Sequence, residues 1–216
     1  CDASFASRRL ISNFYERKIL PRLCNCCCGL GPIEKQREKI VPNAKGVVLE
    51  IGIGTGLNLP FYNKNNVSKI IGLDPSESLT EFAKVAAKKA DIDLELIHSG
   101  AEDINLENDS VDTVLITYTL CTIPDIEKSI SEIKRVLKND GNLIFCEHGK
   151  SPDKHIANIQ SFINPLWGII FGGCNINRDI PKIIQDAHFE IDSMEQMYLP
   201  NTPKFVGYNY WGSAKK

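Results

Sequence analysis

No apolar run in this chain approaches the roughly 20 residues needed to cross a bilayer. Its longest candidate, residues 162–174, is broken by Asn164, Pro165 and several glycines, so no membrane-spanning segment is expected. An excess of charge is missing too. A net charge of -2 offers no general attraction to nucleic acid, and no nucleic-acid partner is expected. Internal repeats, low-complexity tracts and Pro/Gly/Ser-rich linkers are absent, and 216 residues at 43% hydrophobic content suffice to bury one large core. Four of the eight cysteines, Cys24, Cys26, Cys27 and Cys28, crowd together, yet no C-x-x-C pair is followed by a second such pair. That spacing argues against a tetrahedral metal site, and no metal is expected. S-acylation and plain apolar packing remain open for this cluster. No secretory signal is visible, and the chain opens on Cys1 rather than methionine, which leaves removal of preceding residues open. A reducing cytoplasm with free thiols is the expected setting.

What the chain has is a segment of unusual information, Val47-Val48-Leu49-Glu50-Ile51-Gly52-Ile53-Gly54-Thr55-Gly56, answered by Asp74 at the end of Ile70-Ile71-Gly72-Leu73. An apolar run of strand length ends in an acid, passes into three alternating glycines, and is followed by a second apolar run that also ends in an acid. Glycine suits a turn that must reach unusual backbone conformations and let a cofactor lie against the main chain. The spacing is E-x-G-x-G-x-G, not the G-x-G-x-x-G of dinucleotide sites. The loop carries no basic residue for a phosphate, so a nicotinamide dinucleotide fits poorly. S-adenosylmethionine, with an ammonium, a sulfonium and no phosphate, fits better, and Asp74 can accept both hydroxyls of its ribose.

Hydrophobic periodicity gives alternating strands and helices. Residues 47–51, 68–73, 94–98, 111–117 and 142–147 read as short buried strands. Between them, residues 77–90 place Leu79, Phe82, Val85 and Ala86 on one helical stripe with Ser76 as the expected cap, and residues 125–138 do the same with Ile126, Ile130, Ile133 and Leu137. A helix at 179–187 and strands near 189–197 and 205–214 follow. The expected fold is α/β: a Rossmann-like, seven-stranded, mostly parallel sheet closed by an antiparallel C-terminal hairpin, with helices on both faces and ligands at the carboxyl ends of the strands.

These segments resemble class I S-adenosylmethionine-dependent methyltransferases of the type 11 domain. The glycine segment looks like their motif I, Ser99-Gly100-Ala101-Glu102-Asp103 like the segment bordering the adenine, Ser110 to Ile116 like the fourth strand, and Arg135 to Phe145 like the helix and turn leading into the fifth. The resemblance spans residues 46–148. It implies a small-molecule acceptor and a cofactor set of Glu50 at the methionine end, Gly52, Gly54 and Gly56 for backbone approach, and Asp74 on the ribose. Pro75, Ala101, Glu102, Thr117 and Leu120 complete that set, while Asp112 shapes the entrance to its strand. Methyl transfer is an in-line displacement whose main demands are alignment and exclusion of water. Tyr118, Cys121 and Trp167 are expected in the acceptor pocket, with Glu147 and His148 placed to take a proton where one must leave.

A narrower resemblance lies outside the cofactor motifs. Tyr118 to Ile123, Phe145-Cys146-Glu147-His148, Asn164-Pro165-Leu166-Trp167 and Gly173 to Arg178 occur in the order of the methyltransferase-like thiol methyltransferases, relatives of the ubiquinone/menaquinone-biosynthesis enzymes. That resemblance implies methylation of a small lipophilic thiol and membrane association through an N-terminal apolar segment. This chain instead offers residues 10–19 as a basic amphipathic helix, readable as a lid on the cofactor or as a peripheral membrane contact. Residues 1–42 are therefore expected to form a lid and acceptor-side segment, and 43–216 the methyltransferase domain with an acceptor-side insertion at 149–178. Quinone-like or phospholipid headgroup acceptors are the alternative substrates, and a non-catalytic cofactor sensor or assembly factor is the alternative class. No obligate protein partner is inferred.

Overall fold

The computed structural model describes Cys28, Gly29 and residues 31–216. The helix expected at residues 10–19 and cysteines 24, 26 and 27 lie outside the described residues. The described chain begins with α1 (Gly31–Ile40), then β1 (Gly46–Ile51), β2 (Val67–Leu73), α2 (Glu77–Ala90), β3 (Leu94–Ile97) and β4 (Val111–Thr117). It continues through α3 (Ile126–Val136), β5 (Leu137–His148), α4 (Lys154–Ile170), α5 (Ile180–Asp186), β6 (Glu190–Tyr198), α6 (Lys204–Gly207) and β7 (Tyr208–Lys215). One seven-stranded sheet has the order β3-β2-β1-β4-β5-β7-β6. The first five strands are mutually parallel, and β7 is antiparallel to both β5 and β6. This is the expected Rossmann-like sheet with its C-terminal hairpin.

Strand order reverses between β1 and β4, which places a crevice outside their carboxyl ends. Both faces of the sheet are filled. Leu49, Ile51, Val114, Ile116 and Phe145 pack with Ile130 and Ile133 of α3 on one side, and Val48, Ile70, Leu115 and Ile144 pack with Ala83 and Ala87 of α2 on the other. Buried on both faces, the strands need near-continuous apolar sequence, which is why they are legible.

Two local expectations fail for physical reasons. The buried face of α2 is Thr80, Ala83 and Ala87, whereas Phe82 and Val85 of the expected stripe are 62% and 55% exposed. The helix approaches the glycine loop so closely that a Cβ on Gly56 would meet the Ala83 Cα at 3.1 Å, and only small residues fit that face. Ser76 sits at the cap position but its side chain makes no capping bond, and its Oγ faces Ser78 Oγ at 3.1 Å. The 149–178 insertion contains a helix of 17 residues, α4, running through Pro165 instead of breaking there. Gln160 anchors it: Oε1 accepts from Ser151 N, and Nε2 donates to the carbonyls of Gly149, Ile176 and Phe205.

Candidate active site

The glycine loop leaves β1 with φ of 69° at Gly52, 54° at Gly54 and 82° at Gly56, a region closed to most side chains. Gly54 has the freest surroundings of the three, with no heavy atom nearer than 3.9 Å to an added Cβ, so its open side can receive a ligand backbone-to-ligand. Gly56 differs. A Cβ there would lie 2.7 Å from Leu59 Cδ1, so this glycine serves the packing of loop against α2. Asp74 ends β2 facing the loop, its Oδ2 accepting from Gly54 N (3.0 Å) and its Oδ1 from Ser76 N (2.8 Å). Burial raises its pKa, and those two N–H groups oppose the rise.

Glu50 is fully occupied inside the protein. Its carboxylate accepts from Tyr62 Oη at 2.6 Å and Asn58 Nδ2 at 2.9 Å, and burial pushes its pKa up to about 7 despite both bonds. Asn58 and Thr117 in turn accept from Arg37 Nη1, each at 2.6 Å. Arg37 Nε is buried without a hydrogen-bond partner among the described residues, and the guanidinium stands 5.2 Å from the centre of the Tyr118 ring. Charge therefore reaches the cavity from α1 through Arg37, while Glu50 braces the network behind it.

Past β4 the chain turns through Tyr118, whose φ of 54° is strained for a non-glycine residue. Its hydroxyl donates to Asn209 Oδ1 at 2.7 Å. Glu147 holds this turn, since its Oε1 accepts from the N–H groups of Thr119 (2.7 Å) and Leu120 (3.0 Å). Burial lifts the Glu147 pKa to about 7, and its Oε2 has no hydrogen-bond partner among the described residues. Arg178 secures the far side of the turn by donating to the carbonyls of Leu120 and Ile123.

At the end of β5, His148 meets two thiols. Its Nε2 lies 3.4 Å from Cys174 Sγ, and Trp167 Nε1 donates to the same sulfur at 3.4 Å. The ligand atoms of Cys121, His148 and Cys174 all lie within 4.8 Å of one another. Hydrogen bonds from Cys121 and then His148 outweigh burial and hold the Cys174 thiol well below its ordinary value, while the same bond and burial push Cys121 up. Burial pulls His148 down, but the bond to Cys174 and its charge leave the imidazole above its ordinary value.

A cavity of about 710 Å³ joins these parts. Of the residues expected in the site, Gly52, Gly54, Asp74, Pro75, Ala101, Glu102, Thr117, Tyr118, Cys121, His148 and Trp167 line it. Glu50, Gly56, Leu120 and Glu147 do not. Glu50, expected at the methionine end of the cofactor, and Glu147, expected to take a proton, are both buried, Glu50 bonded to Tyr62 and Asn58 and Glu147 to the N–H groups of Thr119 and Leu120. Asp112 behaves as expected, accepting from Val47 N at the start of β1. Sequence reasoning missed Arg37, Cys174, Asn209 and Cys28 as lining residues. Only the Gly-Cys-Asn segment around Cys174 carried a signal; nothing local distinguishes Arg37 from other basic residues of α1.

The glycine cradle, the cavity-lining Asp74 and the absence of any basic group in the loop fit S-adenosylmethionine, and the fold with this site defines a class I S-adenosylmethionine-dependent methyltransferase. Residues 49–145 match the family described as Methyltransferase domain. Thiol S-methyltransferase TMT1A of Homo sapiens is 28% identical over 81% of this chain and 72% of its own length, and TMT1B of Rattus norvegicus is 32% identical over 78% and 70%. A solved S-adenosylmethionine-dependent methyltransferase from Methanosarcina mazei superposes with a TM-score of 0.62 at 19% identity, covering 79% of this chain and 92% of that one. The chain belongs to the methyltransferase family that contains TMT1A and TMT1B. It is an enzyme that uses S-adenosylmethionine to methylate a small acceptor.

Proposed function

We propose that the acceptor is a small, lipophilic thiol. The observation that carries this reading is the distribution of charge in the cavity wall. Among the described residues its carboxylates, Asp74 and Glu102, both come from the β2–β3 side, so the described lining of the acceptor end, with Ile33, Tyr118, Trp167, Phe171 and Val206, has no acid to welcome an ammonium. A neutral, apolar acceptor suits such walls. Thiol groups at about pKa 8.5 lose their proton far more readily than phenols at about 10, so a site without a carboxylate base favours sulfur. The names of the related TMT1 enzymes point the same way.

S-adenosylmethionine supplies an activated methyl group on a sulfonium. Toward it we assign Asp74 to the ribose hydroxyls, Gly52 and Gly54 to close backbone approach, and Pro75, Ala101 and Glu102 to the adenine. The unpartnered Nε of Arg37 suits the methionine carboxylate, and Thr117 orients Arg37. Tyr118, Cys121, His148 and Trp167 surround the acceptor and exclude water. Glu147 is a positioning residue for the Thr119–Leu120 turn. Residues 1–42 act as a lid: Cys28, Ile33 and Arg37 already face the cavity.

Among the described residues no helix is long and apolar enough to cross a membrane. Peripheral membrane contact and a cytoplasmic setting belong to this proposal. The membrane contact is supported by the exposed row Phe162, Leu166 and Ile169 on α4, close in sequence to the cavity residue Trp167.

The test is a panel of thiols, phenols and amines of matched size, incubated with S-adenosylmethionine and assayed for S-adenosylhomocysteine. Turnover with apolar thiols and little with amines is expected. Cofactor binding without product across the panel would overturn the enzymatic assignment of acceptor in favour of a sensor.

A further inference from the structure

Three soft ligand atoms converge where no single stretch of sequence could have announced them. Cys121 follows β4, His148 ends β5 and Cys174 follows α4. All three side chains line the cavity at its acceptor end and all are buried. A tetrahedral zinc ion with sulfur at about 2.3 Å and nitrogen at about 2.0–2.1 Å sets sulfur and nitrogen about 3.6 Å apart, and two sulfurs about 3.8 Å apart. Here Nε2 of His148 and Sγ of Cys174 are 3.4 Å apart, and every pair lies within 4.8 Å. Small side-chain rotations therefore suffice to close the set on one ion. Two thiolates and a neutral imidazole also match the charge of a divalent cation, and the bond from Trp167 Nε1 to Cys174 Sγ orients one ligand from outside.

We propose that Cys121, His148 and Cys174 form a zinc site whose fourth position opens into the cavity and takes the sulfur of the acceptor thiol. Closed structural sites use four protein ligands, whereas three ligands with a position left for substrate mark a catalytic one. As the acceptor R–SH displaces a zinc-bound water, its sulfur becomes a metal-bound thiolate and its proton passes to solvent with the released water. No oxidation state changes and no protein base is consumed. The nucleophile is thus prepared in a wall whose described residues hold no carboxylate at that end. This inference rests on the thiol reading above and supplies its missing deprotonation step.

The full chain, purified without chelators and dialysed against zinc, is expected to retain about one ion per chain, as a three-ligand site of this kind does. Cys174→Ser and Cys121→Ser should each lose most of it while circular dichroism shows the fold intact. Because either variant could misfold, the parent chain is also loaded with cobalt(II). Its thiolate charge-transfer absorption and tetrahedral ligand-field bands should be present, and benzyl mercaptan should shift them while benzyl alcohol does not. Cys28→Ser should keep its zinc, since Cys28 lines the same cavity and would be the fourth ligand of a closed site. A parent chain that binds no zinc, or zinc lost in Cys28→Ser, or a cobalt spectrum unmoved by thiol, overturns the open site. Thiol methylation by a zinc-free chain removes the site and leaves the thiol reading standing. A zinc-loaded chain that methylates phenols but not thiols removes that reading instead.

Discussion

Asp74 shows how much one side chain can hold. It accepts from Gly54 N and Ser76 N, so it ties the glycine loop to the start of α2 and faces the cavity from that junction. Losing hydrogen bonds to an ionised acceptor costs about 1.5–3 kcal/mol. Asp74→Ala is therefore expected to weaken S-adenosylmethionine binding roughly tenfold to a hundredfold by calorimetry, with the folded population retained; unchanged affinity removes Asp74 from the site. Glu50 has the opposite lesson. Its carboxyl sits near pKa 7 in the fold against an ordinary 4.5, so the folded chain binds more protons than the unfolded one across that window. Stability from this group is present below about pH 4.5 and falls as pH rises toward 7. The readout is a difference, because other groups titrate too: thermal unfolding of Glu50→Gln should lose less stability than the parent between pH 4.5 and 7, and parallel curves would exclude the effect. The acid of Glu50 was visible in sequence beside the glycines, but its partners Tyr62, Asn58 and the Arg37 network were not, since long-range side-chain bonds leave no periodic trace.

At the scale of elements, the helices were less legible than the strands. Buried strands demand continuous apolar residues, so the bounds of β1, β2 and β4 could be read to within a residue. The orientation of α2 could not. Ala83 and Ala87 face the sheet because Gly56 brings the loop so near, and hydrophobicity alone favoured Phe82 and Val85. Gly56→Ala should cost about 1–3 kcal/mol by denaturant titration, through overpacking and its positive φ, whereas Phe82→Ser should stay within about 0.5 kcal/mol. Equal effects of the two would reverse the assigned face. Helix α4 was hidden by Pro165, and Gln160 shows what holds it. Gln160→Ala leaves three buried carbonyls and one N–H without this partner, at about 1–3 kcal/mol for each that finds no other. Its expected signature is faster amide exchange at 149–151 and 176, and unchanged protection there would show that the contacts are replaceable.

For the molecule as a whole, one cavity at the carboxyl ends of the strands is lined by residues that follow β1, β2, β3, β4 and β5. A ligand that binds only the folded chain raises its stability by about 2.7 kcal/mol at a concentration of a hundred dissociation constants. S-adenosylmethionine should accordingly raise the unfolding temperature, and a nicotinamide dinucleotide should not, since no basic residue in the loop meets its phosphates. A shift with the dinucleotide alone would contradict the charge argument. The same architecture buries two acids near strand ends: Asn58 and Tyr62, which follow β1, hold Glu50, and the turn after β4 holds Glu147.

Sequence alone determined the sheet, the cofactor and the position of the glycine cradle, because strand burial, loop conformation and the chemistry of Asp74 are local demands that residue type and spacing record directly. Tertiary structure decided which acids face the cavity, which face of α2 packs inward, and that Cys121, His148 and Cys174 meet. The last two outcomes depend on the close approach of residues 26 or more apart in the chain, and such an approach is set by packing of the whole core, which no short stretch of sequence encodes.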